Sequence, residues 1–145
     1  SAMPFTSFSE FVSDTGRYMN WRGHAFESLC LSHIRQIKTA LGILGVKTVS
    51  YPWASRIEKG GAQIDLIIER DDIITDLCEI KYTDSPFSIS ADYERVLLHK
   101  RDVFRKETGT KHALKLVMIS AEGIAGVAHT EHIARVLTLD DLFES

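Results

Sequence analysis

Apolar and polar positions change period several times along the chain, and each change marks an element. From Trp21 to Leu44, Phe26, Leu29, Cys30, His33, Ile34, Ile37 and Leu41 recur every three or four residues. That single apolar stripe predicts one helix, ended by Gly42 and Gly45. VKTVSYPW then reads as a β-branched strand closed by Pro52, and SRIEKGG as a loop. QIDLIIE and DLCEIK are apolar runs broken by single charges, with Asp71 and Asp72 between them as turn formers, so they predict two antiparallel strands in a tight hairpin. With the turn centred on Asp72, position i faces position 144 − i, where 144 is twice 72.

YTDSPFSIS is a Ser- and Pro-bearing connection, and ISADYERVLLHKRDVFRKETG predicts a second long helix. Ser90 or Asp92 supplies its N-cap, Tyr93, Val96, Leu97 and Phe104 its apolar stripe, and Gly109 its stop. LKLVMIS is continuously apolar, as in a strand buried on both faces and set parallel to an earlier one through the helical crossover. AEGIAGVAHTEHIA is loop material, ARVLTL a last strand, and Thr138 caps a short helix, LDDLFE. Residues 1–20 read as a connector or the end of a preceding region. Ser1-Ala2-Met3 has the look of a cloning remnant, and Phe5, Phe8 and Phe11 are spaced for one helical turn. The domain itself is expected over residues 21–145.

Length and charge narrow the classes. A chain of 145 residues fits one domain with one core. No apolar run reaches the roughly 18 to 20 residues of a membrane span, and the start lacks the order of a signal peptide, so a cytoplasmic location away from membranes is expected. Cys30 and Cys78 both fall in apolar runs without a paired framework, and are expected as reduced core residues. The net charge of −3 argues against a protein that coats nucleic acid in general. It leaves room for a local basic surface, because residues 91–115 hold seven Lys and Arg against four acids, while residues 116–145 hold one against five. Arg95, Lys100, Arg101, Arg105 and Lys106 crowd the polar surface expected for the second helix.

The hairpin carries the candidate chemistry. In the 144 − i register Asp65 lies opposite Glu79, and Lys81, two residues further on, points the same way. Facing side chains sit about 5 Å apart at Cβ, so two acids there can share one hard cation. Without a cation, like charges directly opposite each other destabilise a sheet. The plainer reading is an ordinary edge hairpin in which Lys81 neutralises Glu79, with Glu27, in GHAFE, a solvated helix residue. His24 and His33, nine residues apart, have no common ligand spacing and are expected at the surface and in the core respectively.

An acid on the first helix, Asp on the second strand and Glu-x-Lys on the third, in the order helix, three strands, helix, strand, resembles the PD-(D/E)xK nuclease superfamily over roughly residues 20 to 120. More narrowly, WRGHAFESLCLSHIRQIKTALGI, GAQIDLIIERDDIITDLCEIKYT and ETGTKHALKLVMIS resemble the nuclease-like domain at the C-terminal end of a family of prokaryotic AAA-type ATPases. The resemblance implies an α/β fold with a restriction-endonuclease-like αβββαβ core, a mixed sheet flanked by helices. It implies a Mg²⁺- or Mn²⁺-dependent endodeoxyribonuclease, with Glu27, Asp65, Glu79 and Lys81 as catalytic residues. Asp65, Glu79, the Ile80 carbonyl and Glu27 would hold the metal. The stretch leading to the second-strand acid is Gln63-Ile64-Asp65 rather than Pro-Asp, and Gln63 would touch the phosphate together with Arg95, Lys100, Arg101 and Arg105 on the basic helix. The implied partners are DNA and the ATPase domain of a larger parent chain, with homodimers common among such nucleases. No Walker A loop, G-x-x-x-x-G-K-[ST], occurs in the chain.

Two readings from different classes remain open at this stage. One is a metal-dependent nuclease acting on DNA. The other is a nuclease-like module that docks on an ATPase or another protein and does not cut. A metal-independent RNA nuclease fits less well, because no His pair suits that chemistry.

Overall fold

The computed structural model describes residues 21–58 and 61–143. The expected connector, with Phe5, Phe8 and Phe11, lies outside them. In chain order the elements are α1 (residues 21–31), α2 (Ile34–Ala40), β1 (Thr48–Ala54), β2 (Gln63–Arg70), β3 (Ile74–Lys81), α3 (Ala91–Thr108), β4 (Ala113–Ser120), β5 (Ile133–Leu137) and α4 (Leu139–Phe143). The strands form one mixed sheet in the order β1-β2-β3-β4-β5. β1, β2 and β3 are antiparallel neighbours, whereas β3, β4 and β5 run parallel.

The sheet is covered on both faces. Phe26 and Cys30 of α1, Ile37 of α2 and Leu142 of α4 pack with Leu66, Ile68, Cys78, Val117 and Ile119 on one side. Leu97 and Phe104 of α3 pack with Ile64, Ile67, Leu77, Leu116 and Met118 on the other. This is the layered burial that a parallel sheet needs, and it accounts for the unbroken apolar run of β4. Both cysteines are buried and free, as expected. Among the described residues no helix is long and apolar enough to cross a membrane.

The hairpin has the expected register. Leu66 faces Cys78, Ile67 faces Leu77, Ile68 faces Asp76 and Glu69 faces Thr75, and each pair sums to 144. The turn holds Ile73 at φ 66°, a left-handed conformation that costs a β-branched residue roughly 1–2 kcal/mol. The Ile73 carbonyl in that conformation accepts the Ala113 N–H at 3.1 Å, where β4 begins beside β3. α3 also follows its sequence signals. The Ser90 side chain accepts the Tyr93 N–H, and Gly109 closes the helix at φ 68°, where a residue with a Cβ would be strained. Thr138 and Asp141 cap α4 reciprocally, side chain to backbone, at 3.2 and 2.8 Å.

Two expectations are corrected. The stripe from Trp21 to Leu44 is not one helix, because the chain breaks at Ser32–His33. Ser32 Oγ donates to the Ser28 carbonyl at 2.8 Å, His33 Nδ1 sits 2.6 Å from the Leu29 carbonyl, and the His33 N–H tightens to Cys30. The Leu29 carbonyl is thus met by a side chain and the Cys30 carbonyl by a short-range bond, in place of the bonds a continuing helix would make. His33 is half-buried and its ring meets Phe143 edge-on, a packing role, while His24 is exposed. Nor does Pro52 close β1, which runs on to Ala54. β1 is an edge strand, and its odd residues Lys47 and Ser55 bond toward β2, through Asp71 N–H and the Ala62 carbonyl. Pro52, at an even position, faces away from β2, where its missing N–H breaks no ladder bond among the described strands.

Candidate active site

The second strand is not regular where the candidate acid sits. Tyr51 faces Ile67 but Trp53 faces Ile64, so Asp65 and Leu66 together oppose Pro52 in a β-bulge. The bulge breaks the alternation of faces: Ile64 packs under α3, and Leu66, two residues on, packs on the side of α1 and α2. The register pairs of β2 and β3 reach Leu66 and Cys78. Beyond them Asp65 Oδ2 accepts the Ile80 N–H at 2.8 Å, so a carboxylate does the work of a strand carbonyl. Asp65 is thereby held beside Glu79.

Glu79 is the buried member of the pair, with only 7% of its surface exposed. Burial pushes its carboxyl up to about 7; the Lys100 charge opposes that rise, and Asp65 adds to it by charge and by a hydrogen bond between the two carboxyl groups. Lys100, from α3, donates to Glu79 Oε1 at 3.0 Å. A pH dependence follows. The unfolded chain releases the Glu79 proton near 4.5 and the folded chain near 7, so stability falls as pH rises through that window and levels off above it. The loss is of the order of 3 kcal/mol, taking about 1.4 kcal/mol per unit. Glu79→Gln is expected to remove this slope and to raise Tm at pH 8, read by thermal unfolding from pH 4 to 8. A wild-type slope retained in the variant would assign it to another group.

Lys81 does not pair with Glu79. Its ammonium stands over the Phe87 and Tyr93 rings, 5.1 and 5.7 Å from their centroids, and those rings meet edge to face. Burial, then the charges of Glu79 and Asp65, push the Tyr93 hydroxyl up, so it stays protonated beside the acids. Glu27 reaches the same region from α1. It lines a cleft of about 270 Å³ with Pro52, Trp53, Gln63 and Asp65. Burial raises its pKa, the Asp65 charge adds to this, and His24 opposes it. The Asp65 charge therefore acts on both Glu27 and Glu79, but the three acids do not gather within 4.8 Å of one another. Among the described residues, the trio of acidic or histidine groups with ligand atoms within 4.8 Å of one another is Glu94, Glu131 and His132.

The basic helix differs from the expected open stripe. Lys100 turns inward to Glu79, Arg95 pairs with Asp92, and Arg101 Nε lies 3.7 Å from Asp102. Arg105 donates to the Thr110 and His112 carbonyls at 2.8 and 3.0 Å, fastening the end of α3 to the start of β4. Lys106 lines a separate hollow of about 290 Å³ under the loop after β1, where Glu107 holds Ser55 and the Arg56 N–H.

Lys100 lies inward rather than on the outer surface expected for α3, and Trp53, Phe87 and Tyr93 join the site although no motif singles them out. One signal for Lys100 was available: Leu97, Lys100 and Phe104 are spaced by three and four, on the apolar stripe itself. No family model, curated protein or solved structure matches the chain.

Proposed function

We propose that the chain is a metal-dependent nuclease domain of the PD-(D/E)xK kind with a restriction-endonuclease-like core, hydrolysing phosphodiester bonds of DNA as part of a larger ATPase. The observation that carries this reading is the pair Asp65–Glu79: two carboxylates on neighbouring strands, one of them buried, with the Ile80 N–H bonded to Asp65 and the Lys100 ammonium to Glu79. The donor set suits a hard divalent cation. One Asp65 oxygen is engaged by Ile80, Glu79 already attracts a cation, and the Ile80 carbonyl and Glu27 complete an all-oxygen set. Bound there, Mg²⁺ or Mn²⁺ would draw negative charge from the phosphoryl oxygens and acidify water.

The chain's own groups do the rest. Lys81, held against two rings, would donate to the attacking water and to a non-bridging phosphate oxygen. Gln63 and Trp53, on the cleft wall beside Asp65, would seat the strand. The water oxygen bonds to phosphorus as one bridging P–O bond breaks, the water proton passes to solvent, and the departing sugar oxygen takes a proton.

The test pairs a calorimetric Mn²⁺ titration with nicking of circular DNA. Saturable binding and metal-dependent nicking are expected, with cleavage falling about 10²- to 10⁴-fold in Lys81→Ala while the fold is kept. Equal cleavage by the two proteins would mark a contaminant. The competing reading, a docking module that does not cut, draws on the self-paired cations of α3. It predicts no saturable Mn²⁺ binding at all.

A further inference from the structure

Resting on that nuclease reading, we propose that Lys100 is a second catalytic cation, which holds Glu79 in the metal-free chain and turns to a phosphate oxygen of the substrate once a divalent ion takes Glu79. Its ammonium lies 3.0 Å from Glu79 Oε1, and both side chains are largely withdrawn from solvent, at 18% and 10% exposure. An ammonium and a dication repel each other at such range, so an ion held by Glu79 displaces Lys100. The displaced group stays close, because its helix is fixed by Leu97 and Phe104, both buried one turn away on either side.

The region to which it turns is set by Tyr93, seven residues earlier on the same face of α3, whose ring carries Lys81. Two cations from different elements are therefore held near this face, Lys100 of α3 on Glu79 and Lys81 of β3 on the Tyr93 ring. A phosphodiester drawn to Asp65 and Glu79 through a metal would meet both. Glu79 thus exchanges one positive partner for another, and the released charge goes to the oxygens where negative charge develops.

The test follows the Lys100 ammonium by NMR of lysine labelled with ¹⁵N at Nζ and ¹³C at Cε, using the diamagnetic ion Mg²⁺ and assigning the signal by its loss in Lys100→Arg. The signal is expected to move with the half-saturation that calorimetry gives for Mg²⁺. Lys100→Met should keep Mg²⁺ binding and lose about 10²-fold in kcat on circular DNA, with partial recovery in Lys100→Arg. Mg²⁺ binding that leaves the Lys100 signal in place, or Lys100→Met cutting as the wild type does, would overturn the proposal and leave the nuclease reading standing. No Mg²⁺ binding by the wild type would remove both. Should Lys100→Met fail to fold, by circular dichroism, the NMR titration and the Arg variant decide.

Discussion

Asp65→Asn is expected to abolish saturable Mn²⁺ binding and to cut DNA cleavage by about 10³-fold or more, while leaving stability within about 0.5 kcal/mol of wild type. The separation arises because Asp65 has two duties. Its Oδ2 accepts the Ile80 N–H at 2.8 Å where the β2–β3 ladder stops, and an amide oxygen can take over that bond. Only the charge is lost. Asp65→Ala removes the acceptor as well, and leaving the Ile80 N–H without it should cost a further 1–3 kcal/mol or so. Calorimetry, nicking of circular DNA and urea unfolding of both variants separate the two duties. An Asn variant that cuts as wild type would end the nuclease reading.

The second large effect concerns stability alone. Arg70 grips Asp72 with two bonds, at 2.9 and 2.6 Å, and donates to Asp76 at 3.2 Å; the Asp76 side chain is 2% exposed. Arg70→Ala leaves a carboxylate in the middle of β3 with its cation gone, and should destabilise by about 3–5 kcal/mol at pH 7, a large part of a typical domain's 5–15. Burial already pushes Asp76 upward against the pull of Arg70. Without Arg70 the folded pKa rises further, so the deficit against wild type grows as pH rises past the wild-type folded value, itself above 3.8, and is smallest below it. Guanidinium unfolding at pH 3.5 and 7 reads the difference. A loss under about 0.5 kcal/mol at pH 7 would show that solvent reaches Asp76 in the variant.

How far the chain could be read in advance depended on how local each determinant is. The hairpin register was legible from Leu66–Cys78 to Glu69–Thr75, because two aspartates fix a turn and period-2 alternation fixes the rest. The caps of α3 and the parallel placement of β4 were equally local. What stayed hidden is set by contacts distant in sequence or by competing side-chain bonds. The Ser32–His33 break turns on two side chains choosing backbone carbonyls over solvent. The bulge at Asp65–Leu66 exists only against Pro52 of another strand. Lys100 was set on the outer surface because it is charged, although its position on the Leu97–Phe104 stripe turns it inward to Glu79.

Pro52 has a bearing on assembly. Among the described residues no strand pairs with the outer side of β1, and such a row of backbone groups is the usual route to edge-to-edge aggregation. At the middle of that row the proline ring presents no N–H, so an incoming strand would find a gap in the ladder, and the bulge opposite adds twist there. The residue opposite the Asp65–Leu66 bulge therefore also guards the sheet against growth on this side. Among the described strands the other edge of the sheet is β5, which holds no proline.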